Sequence, residues 1–191
     1  MWLVGSGGVL DHLVPETGAI EHRLSAVCGA LFVTGVIQVR DGGVWLGCQD
    51  QLVRFDPASG EVRRWHAGDG DDAAPLGRIA QFVEQRDGSL WLASHQSIQV
   101  RDASGRVLDT IDRGDGRGLE ASAMVEQLVR APDGGVWAAT SQGLLSWNDG
   151  VRRFEPVPGA PPAATYGVAF GPGGEAWLAG HGQLAAYAWD G

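Results

Sequence analysis

The chain predicts an all-β fold of the β-propeller type, on three observations. Four segments share one pattern, a Gly turn followed by a Trp-bearing strand, and the chain opens inside a fifth, at Trp-to-Trp intervals of 43, 46, 46 and 40 residues. Gly occupies 30 of 191 positions without a collagen-like period, which calls for many turns and hence many short strands. No segment sustains a helical period. A repeat of about 40–50 residues with four strands per unit selects a propeller over a sandwich or barrel.

The pattern reads Asp41-Gly42-Gly43-Val44-Trp45-Leu46-Gly47, then Asp87-Gly88-Ser89-Leu90-Trp91-Leu92-Ala93. It returns as Asp133-Gly134-Gly135-Val136-Trp137-Ala138-Ala139 and as Gly173-Gly174-Glu175-Ala176-Trp177-Leu178-Ala179. The chain opens inside a further copy, Trp2-Leu3-Val4-Gly5. The third copy illustrates the unit. Residues 79–83 form strand A, and Asp87-Gly88 is a hairpin turn in which Gly takes the positive φ such turns need. Residues 90–93 are strand B, 98–101 strand C and 107–111 strand D. The C–D turn recurs at 15–18, 57–60 and 148–150. This gives about four and a half blades, at approximately 1–23, 33–65, 78–111, 123–154 and 165–191, in a single partial propeller domain. The opening blade has strands B–D and the closing one A–C, so the chain reads as part of a longer protein. An open arc is expected, with apolar faces around Trp2 and Trp177 prone to self-association and to pairing with remaining blades of the parent protein.

Strand B is central in each blade, so Trp2, Trp45, Trp91, Trp137 and Trp177 are expected to pack between neighbouring sheets rather than bind ligand. The residue two positions on (Val4, Gly47, Ala93, Ala139, Ala179) is mostly small. Cys28 and Cys48 are the two cysteines; one bridge and two separate buried thiols both fit, since a bridge needs Cα atoms within about 7 Å.

The formal net charge is −9, and all 14 basic residues are Arg. That balance argues against a nucleic-acid partner, because non-specific binding to a phosphate backbone depends on clustered basic residues. No apolar run reaches the ~18–20 residues of a membrane span, and the first residues lack the basic and apolar regions of a signal peptide. No Gly-x-Ser-x-Gly elbow, phosphate loop or dinucleotide fingerprint occurs, so no cofactor is called for.

The stretch Ala131-Pro132-Asp133-Gly134-Gly135-Val136-Trp137-Ala138-Ala139-Thr140-Ser141-Gln142-Gly143-Leu144-Leu145-Ser146-Trp147 resembles the two-component-regulator propeller repeat. It has an Asp-Gly turn, a Trp strand ending in Thr, then Gly-Leu and an aromatic. More loosely the resemblance extends over the chain. Arg101 stands where Phe55, Trp147 and Tyr187 supply the aromatic, and Gly173 replaces the turn Asp in the last copy. The resemblance implies the extracytoplasmic, periplasmic ligand-sensing part of a bacterial receptor whose output is a histidine kinase or diguanylate cyclase, with any catalysis in that output domain. The alternative is a streptogramin-lyase-like propeller enzyme, which shares a similar turn and strand and would need a His with carboxylate partners and bound Mg²⁺.

Propeller ligands are expected at the face made by the B–C loops and the D–A crossovers. There the polar residues Gln49, Asp50, His95, Gln96, Ser141, Gln142 and His181 (with Ser6, Gly7 and Gly182 at equivalent positions) could hydrogen-bond a small polar ligand of the sugar, polyol or peptide class. His95 and His181 lie in equivalent loops two blades apart; to hold a metal they would need to come close and find a third donor, and the blade spacing argues against it. Asp69, Asp71 and Asp72 lack the length and closing Glu of a calcium loop and read as a solvated acidic turn. The loop at 112–118 carries both signs and is expected to pair within itself or with solvent.

Overall fold

A computed structural model describes residues 1–5, 7–29, 32–180 and 182–187. Among these residues every regular element is a β-strand, and the strands form five antiparallel sheets. The chain divides into two compact units, Met1–Ala80 and Gln81–Gly191.

The first unit holds two sheets. One is β1 (Trp2–Gly5), β2 (Val9–Val14) and β3 (Ala19–Leu24). The other is β4 (Gly35–Gln38), β5 (Val44–Gly47), β6 (Gln51–Phe55) and β7 (Val62–His66). Each meanders in chain order, so every strand pairs with its sequence neighbour; in the four-stranded sheet B and C are central, whereas in the first sheet B, which is β1, lies at the edge. The second unit holds three sheets. The first of them is β8 (Gln81–Glu84), β9 (Leu90–Ala93), β10 (Ser97–Arg101) and β11 (Val107–Asp112). Next comes β12 (Val125–Arg130), β13 (Val136–Thr140), β14 (Gly143–Asn148) and β15 (Arg153–Pro156). The last is β16 (Thr165–Phe170), β17 (Ala176–Gly180) and β18 (Gln183–Tyr187).

The Trp residues share one register. Trp45 lies opposite Ile37 and Arg54, Trp91 opposite Val83 and Val100, Trp137 opposite Val129 and Ser146, and Trp177 opposite Ala169 and Ala186. Trp91 joins a core with Leu128, Val136, Leu145 and Phe154 of the following sheet, and Trp137 a core with Val168, Ala176 and Leu178 of the next. Trp2 likewise packs on Val44, Leu46 and Val53, its ring edge-on to Phe55 at 6.0 Å. Trp2, Trp91 and Trp137 thus fill the wedge toward the sheet that follows each of them, a packing site for their large apolar area; Trp45 stacks on Trp65 of its own sheet, ring centroids 5.2 Å apart.

Their exposure is not uniform. Trp45, Trp91 and Trp137 are buried, Trp2 is half-buried, and Trp177 is 41% exposed. The expectation of an exposed face around Trp2 therefore needs correction, because the second sheet covers that ring. Leu184 and Tyr166 are exposed on the same sheet as Trp177.

Two expectations shift locally. Ile79, read as the start of strand A, is fully buried but lies in the crossover before β8; its N–H bonds the Cys48 carbonyl rather than a sheet partner. The loop 112–118 does not pair only with itself. Arg117 makes two hydrogen bonds to the Asp109 carboxylate of β11, at 2.8 and 2.7 Å, and its Nε–H donates to the Arg152 carbonyl at 3.0 Å.

Arg101, in the aromatic's place, is fully buried. Its guanidinium donates to Gln99 Oε1 at 2.8 and 3.2 Å and to the Gly105 carbonyl at 2.6 Å, so groups of its own sheet help to offset the cost of burying it.

Candidate ligand-binding face

In each sheet strand B ends where strand C begins, and where a strand D is present it ends at the same edge: Gly47 pairs with Leu52, and Gln51 with His66. The B–C loops and the crossovers at 25–34, 67–80, 113–124 and 157–164 therefore share one end of each sheet. What fastens this end in the three middle sheets is written at the third residue after Trp45, Trp91 and Trp137. In the third and fourth sheets it is a buried hydroxyl. Ser94 Oγ accepts from the Gln96 and Ser97 N–H groups, and Thr140 Oγ1 donates to the Gly143 carbonyl at 2.8 Å while accepting from Gln142 N–H at 3.1 Å. In the second sheet the equivalent residue is Cys48, and it is disulfide-bonded to Cys28 of the preceding crossover, with Cα atoms 5.7 Å apart.

The predicted rim residues divide into two groups. Asp50, Ser141 and Gln142 are committed to backbone. Asp50 takes a left-handed φ of 56°, its carboxylate accepts from Gly77 N–H, and its carbonyl accepts from Ala67 N–H at 2.8 Å. Ser141 Oγ accepts from Met124 N–H at 3.0 Å, and Gln142 bonds both the Glu120 N–H and the Glu120 carboxylate. These side chains pin crossovers. Gln49, His95 and Gln96 are different: Gln49 and Gln96 are exposed and His95 is half-buried, and none of the three side chains forms a hydrogen bond among the described residues. His181 and Ser6 lie outside the described residues. Among the described residues no three His, Cys, Asp or Glu side chains come close enough to hold a metal ion.

In the first unit a cleft of about 370 Å³ opens at this end, lined by Phe32, Val33, Thr34, Gln49 and Arg78. Gln49 and Arg78 form an isolated antiparallel bridge, which sends both side chains to one side of the ribbon. Thr34 Oγ1 donates to the carbonyls of Ile79 and Gly47, at 2.5 and 3.1 Å, closing the inner wall. Gly47 is required beneath it: a Cβ there would sit 2.0 Å from the Ile79 carbonyl oxygen. Of the five lining residues only Gln49 is signalled by the repeat; Phe32, Val33, Thr34 and Arg78 lie in crossovers, where repeat position says nothing about pairing.

In the second unit Gln142 borders a cleft of about 410 Å³ with Glu120 and Phe154. A larger one, about 470 Å³, lies at the opposite end of the sheets, between the A–B turns at 85–89 and 133–135 and the C–D turn at 149–152. Trp147 stands in it, its Nε1–H donating to Asp149 at 2.7 Å. Asp109 lines it too. The hydrogen bond from Arg117 holds the Asp109 carboxyl below the usual aspartate range, and the charge of Arg152, 2.5 Å away, adds to this. The same contact raises Arg117 above its ordinary value.

No family model matches the chain, and no curated protein matches its sequence. Solved structures do match. The extracellular domain of a putative hybrid two-component system of B. thetaiotaomicron aligns with a TM-score of 0.69 at 12% identity, over 93% of this chain and 24% of that one. A second such domain from the same organism gives 0.67 at 16%, over 93% and 25%. Virginiamycin B lyase from Staphylococcus aureus gives 0.66 at 13%, over 93% of this chain and 61% of that one. The chain thus spans about a quarter of the length of the two-component-system domains it matches. At 12–16% identity the likeness is one of fold, and with five antiparallel meanders whose Trp strands keep one register that fold is the β-propeller.

Proposed function

We propose that the chain is a non-catalytic ligand-sensing propeller module of a bacterial signal-transduction receptor, exposed outside the cytoplasm. The observation that carries this is the cleft of the first unit, where a B–C loop meets two crossovers and the Gln49 and Arg78 side chains stand exposed. The neighbours among two-component systems support the same reading at the level of fold. So does the Cys28–Cys48 disulfide, since such bonds persist in oxidising compartments and are rare in reducing ones. In this reading Gln49 faces the ligand in the first unit, while Asp50 holds the loop that presents it.

The test is the reading frame of the parent gene together with a thermal-shift screen of sugars, polyols, short peptides and organic acids. A ligand that binds only the folded chain raises its stability by RT ln(1 + [L]/Kd). A membrane span followed by a kinase or cyclase domain, with at least one stabilising ligand, is the expected result. A gene that ends within a few further blades, encoding a protein that linearises streptogramins in the presence of Mg²⁺, would replace this reading with the lyase.

A further inference from the structure

We infer that the cleft of the first unit binds a small organic carboxylate bearing an aromatic or aliphatic group, with Arg78 as the carboxylate anchor and Phe32 as the apolar contact. The inference rests on the sensing reading and narrows its ligand class. Arg78 is exposed, and among the described residues its guanidinium has no ion pair. That is unusual company in a chain of net charge −9. Asp50, next to Gln49, gives its carboxylate to Gly77 N–H, and Asp69, Asp71 and Asp72 of the same crossover do not line the cleft. Among the described residues Arg78 is therefore the only charged one lining the cleft.

A guanidinium presents a planar fork of donors that matches a carboxylate with two parallel hydrogen bonds. The bridge partner Gln49 places an amide beside it, with Cβ atoms about 4.5–5.5 Å apart as in any directly opposed pair. The Thr34 hydroxyl proton is already spent on backbone carbonyls, so the donors open to a ligand come from Arg78 and Gln49. The other wall is apolar: Val33, and Phe32, which is 65% exposed. A large aromatic left that open beside an unpaired cation suits a ligand with one apolar and one anionic end. The volume of about 370 Å³ is near the lower limit for small-molecule sites and fits a single small acid rather than an extended chain.

The experiment is a ¹H–¹⁵N titration of the whole chain with phenylacetate, its neutral analogue 2-phenylethanol, and glucose. Phenylacetate is expected to move the amides of Phe32–Thr34, Gln49 and Arg78 at least about tenfold more tightly than 2-phenylethanol, the difference a charge-assisted hydrogen bond makes. Arg78→Gln should weaken phenylacetate about tenfold or more, and Phe32→Ala about threefold to tenfold. Arg86→Gln, at an exposed arginine beside the opposite cleft, should leave the affinity unchanged. Equal binding of phenylacetate and 2-phenylethanol, an unaffected Arg78→Gln variant, or no shift at these amides overturns the carboxylate assignment. If glucose alone moves them, the assignment falls and the sensing reading stands. If phenylacetate binds as expected but the parent gene encodes a lyase, the site stands and the sensing reading falls.

Discussion

Two crossovers, one in each unit, perform the same mechanical task with different chemistry. The crossover at 25–34 is tied to the sheet it enters by a covalent bond, Cys28 to Cys48. The crossover at 113–124 is tied by polar contacts: Arg117 bridges Asp109 of the strand it leaves and the Arg152 carbonyl of the sheet it enters, and Gln142 and Ser141 hold Glu120 and Met124. The comparison extends to one register position. The residue three after the Trp is Cys48 in one sheet and Thr140 in the other, and both secure the turn that follows strand B. The difference teaches that the repeat specifies a place to fasten, not the fastener. It follows that the two regions should answer to different perturbants.

The comparison presupposes that packing between sheets is alike in both regions, so the largest expected effect is a control. Trp137→Ala removes a buried ring that meets Phe170 at 5.3 Å. The loss should be about 3–5 kcal/mol in chemical denaturation, as for other buried Trp truncations. Trp177→Ala, at a ring 41% exposed, should cost less than about 1 kcal/mol. Similar losses at the two positions would mean that the wedge toward the following sheet is not what makes the Trp matter.

Breaking the covalent fastener comes next. Cys28→Ala/Cys48→Ser, or reduction by dithiothreitol, opens a loop with a sequence separation of 20 residues and should cost about 3 kcal/mol by the chain-entropy estimate. The loss should appear in hydrogen exchange around 25–34 and 47–50, with little change at 113–124. An equal loss of protection at 113–124 would deny that the fasteners act locally. For the hydroxyl fastener, Thr140→Val keeps the shape but strands the Gln142 N–H and the Gly143 carbonyl in a buried turn. A cost of about 1–2 kcal/mol is expected, with Thr140→Ser restoring most of it. A Ser variant as unstable as Val would point to the methyl group rather than the hydroxyl.

Much of the fold was legible because it is periodic. The Trp strand recurs five times and the Asp-Gly turn before it three times, and the order of strands that this pattern implies is the one the sheets adopt. The crossovers do not repeat, and that is where reading from sequence stops. Nothing in the position of Cys28 says whether a bend will bring its Cα to within 5.7 Å of Cys48. Arg117 looks like one member of a mixed-charge loop until its crossover is seen lying along β15, where Phe154 N–H donates to the Arg117 carbonyl. The rim residues show the same limit. Gln49, Asp50, Ser141 and Gln142 occupy equivalent positions, yet Asp50, Ser141 and Gln142 hold backbone and Gln49 does not, because that depends on which crossover group lies opposite. Arg78 and Phe32 carry no periodic signal at all.

The smallest effect sharpens the comparison most, because it uses acid where the disulfide answers only to reductant. Asp109 has its carboxyl held below the ordinary aspartate value of 3.8, chiefly by the hydrogen bond from Arg117. A carboxyl whose folded value is lower than its unfolded one contributes stability that is complete above the unfolded value. That stability is lost as pH falls through the folded one. Between pH 7 and 5 the contact should therefore be unaffected, and its contribution should fade only below about pH 4. The amount is on the order of 1 kcal/mol, since the Arg117 and Asp109 side chains are 25% and 18% exposed and water screens part of the attraction. Hydrogen exchange at Gly114, Ala123 and Phe154, whose N–H groups bond within or onto this crossover, should speed up over that acid limb. Asp109→Asn should remove the limb and lower protection at all pH values. The Val27 N–H, bonded to the Gly8 carbonyl beside the disulfide, should keep its protection through the same range and lose it on reduction. Acid loosening of Val27 in step with Gly114, or a limb that survives Asp109→Asn, would mean that one shared event governs both crossovers and that the two fasteners are not independent.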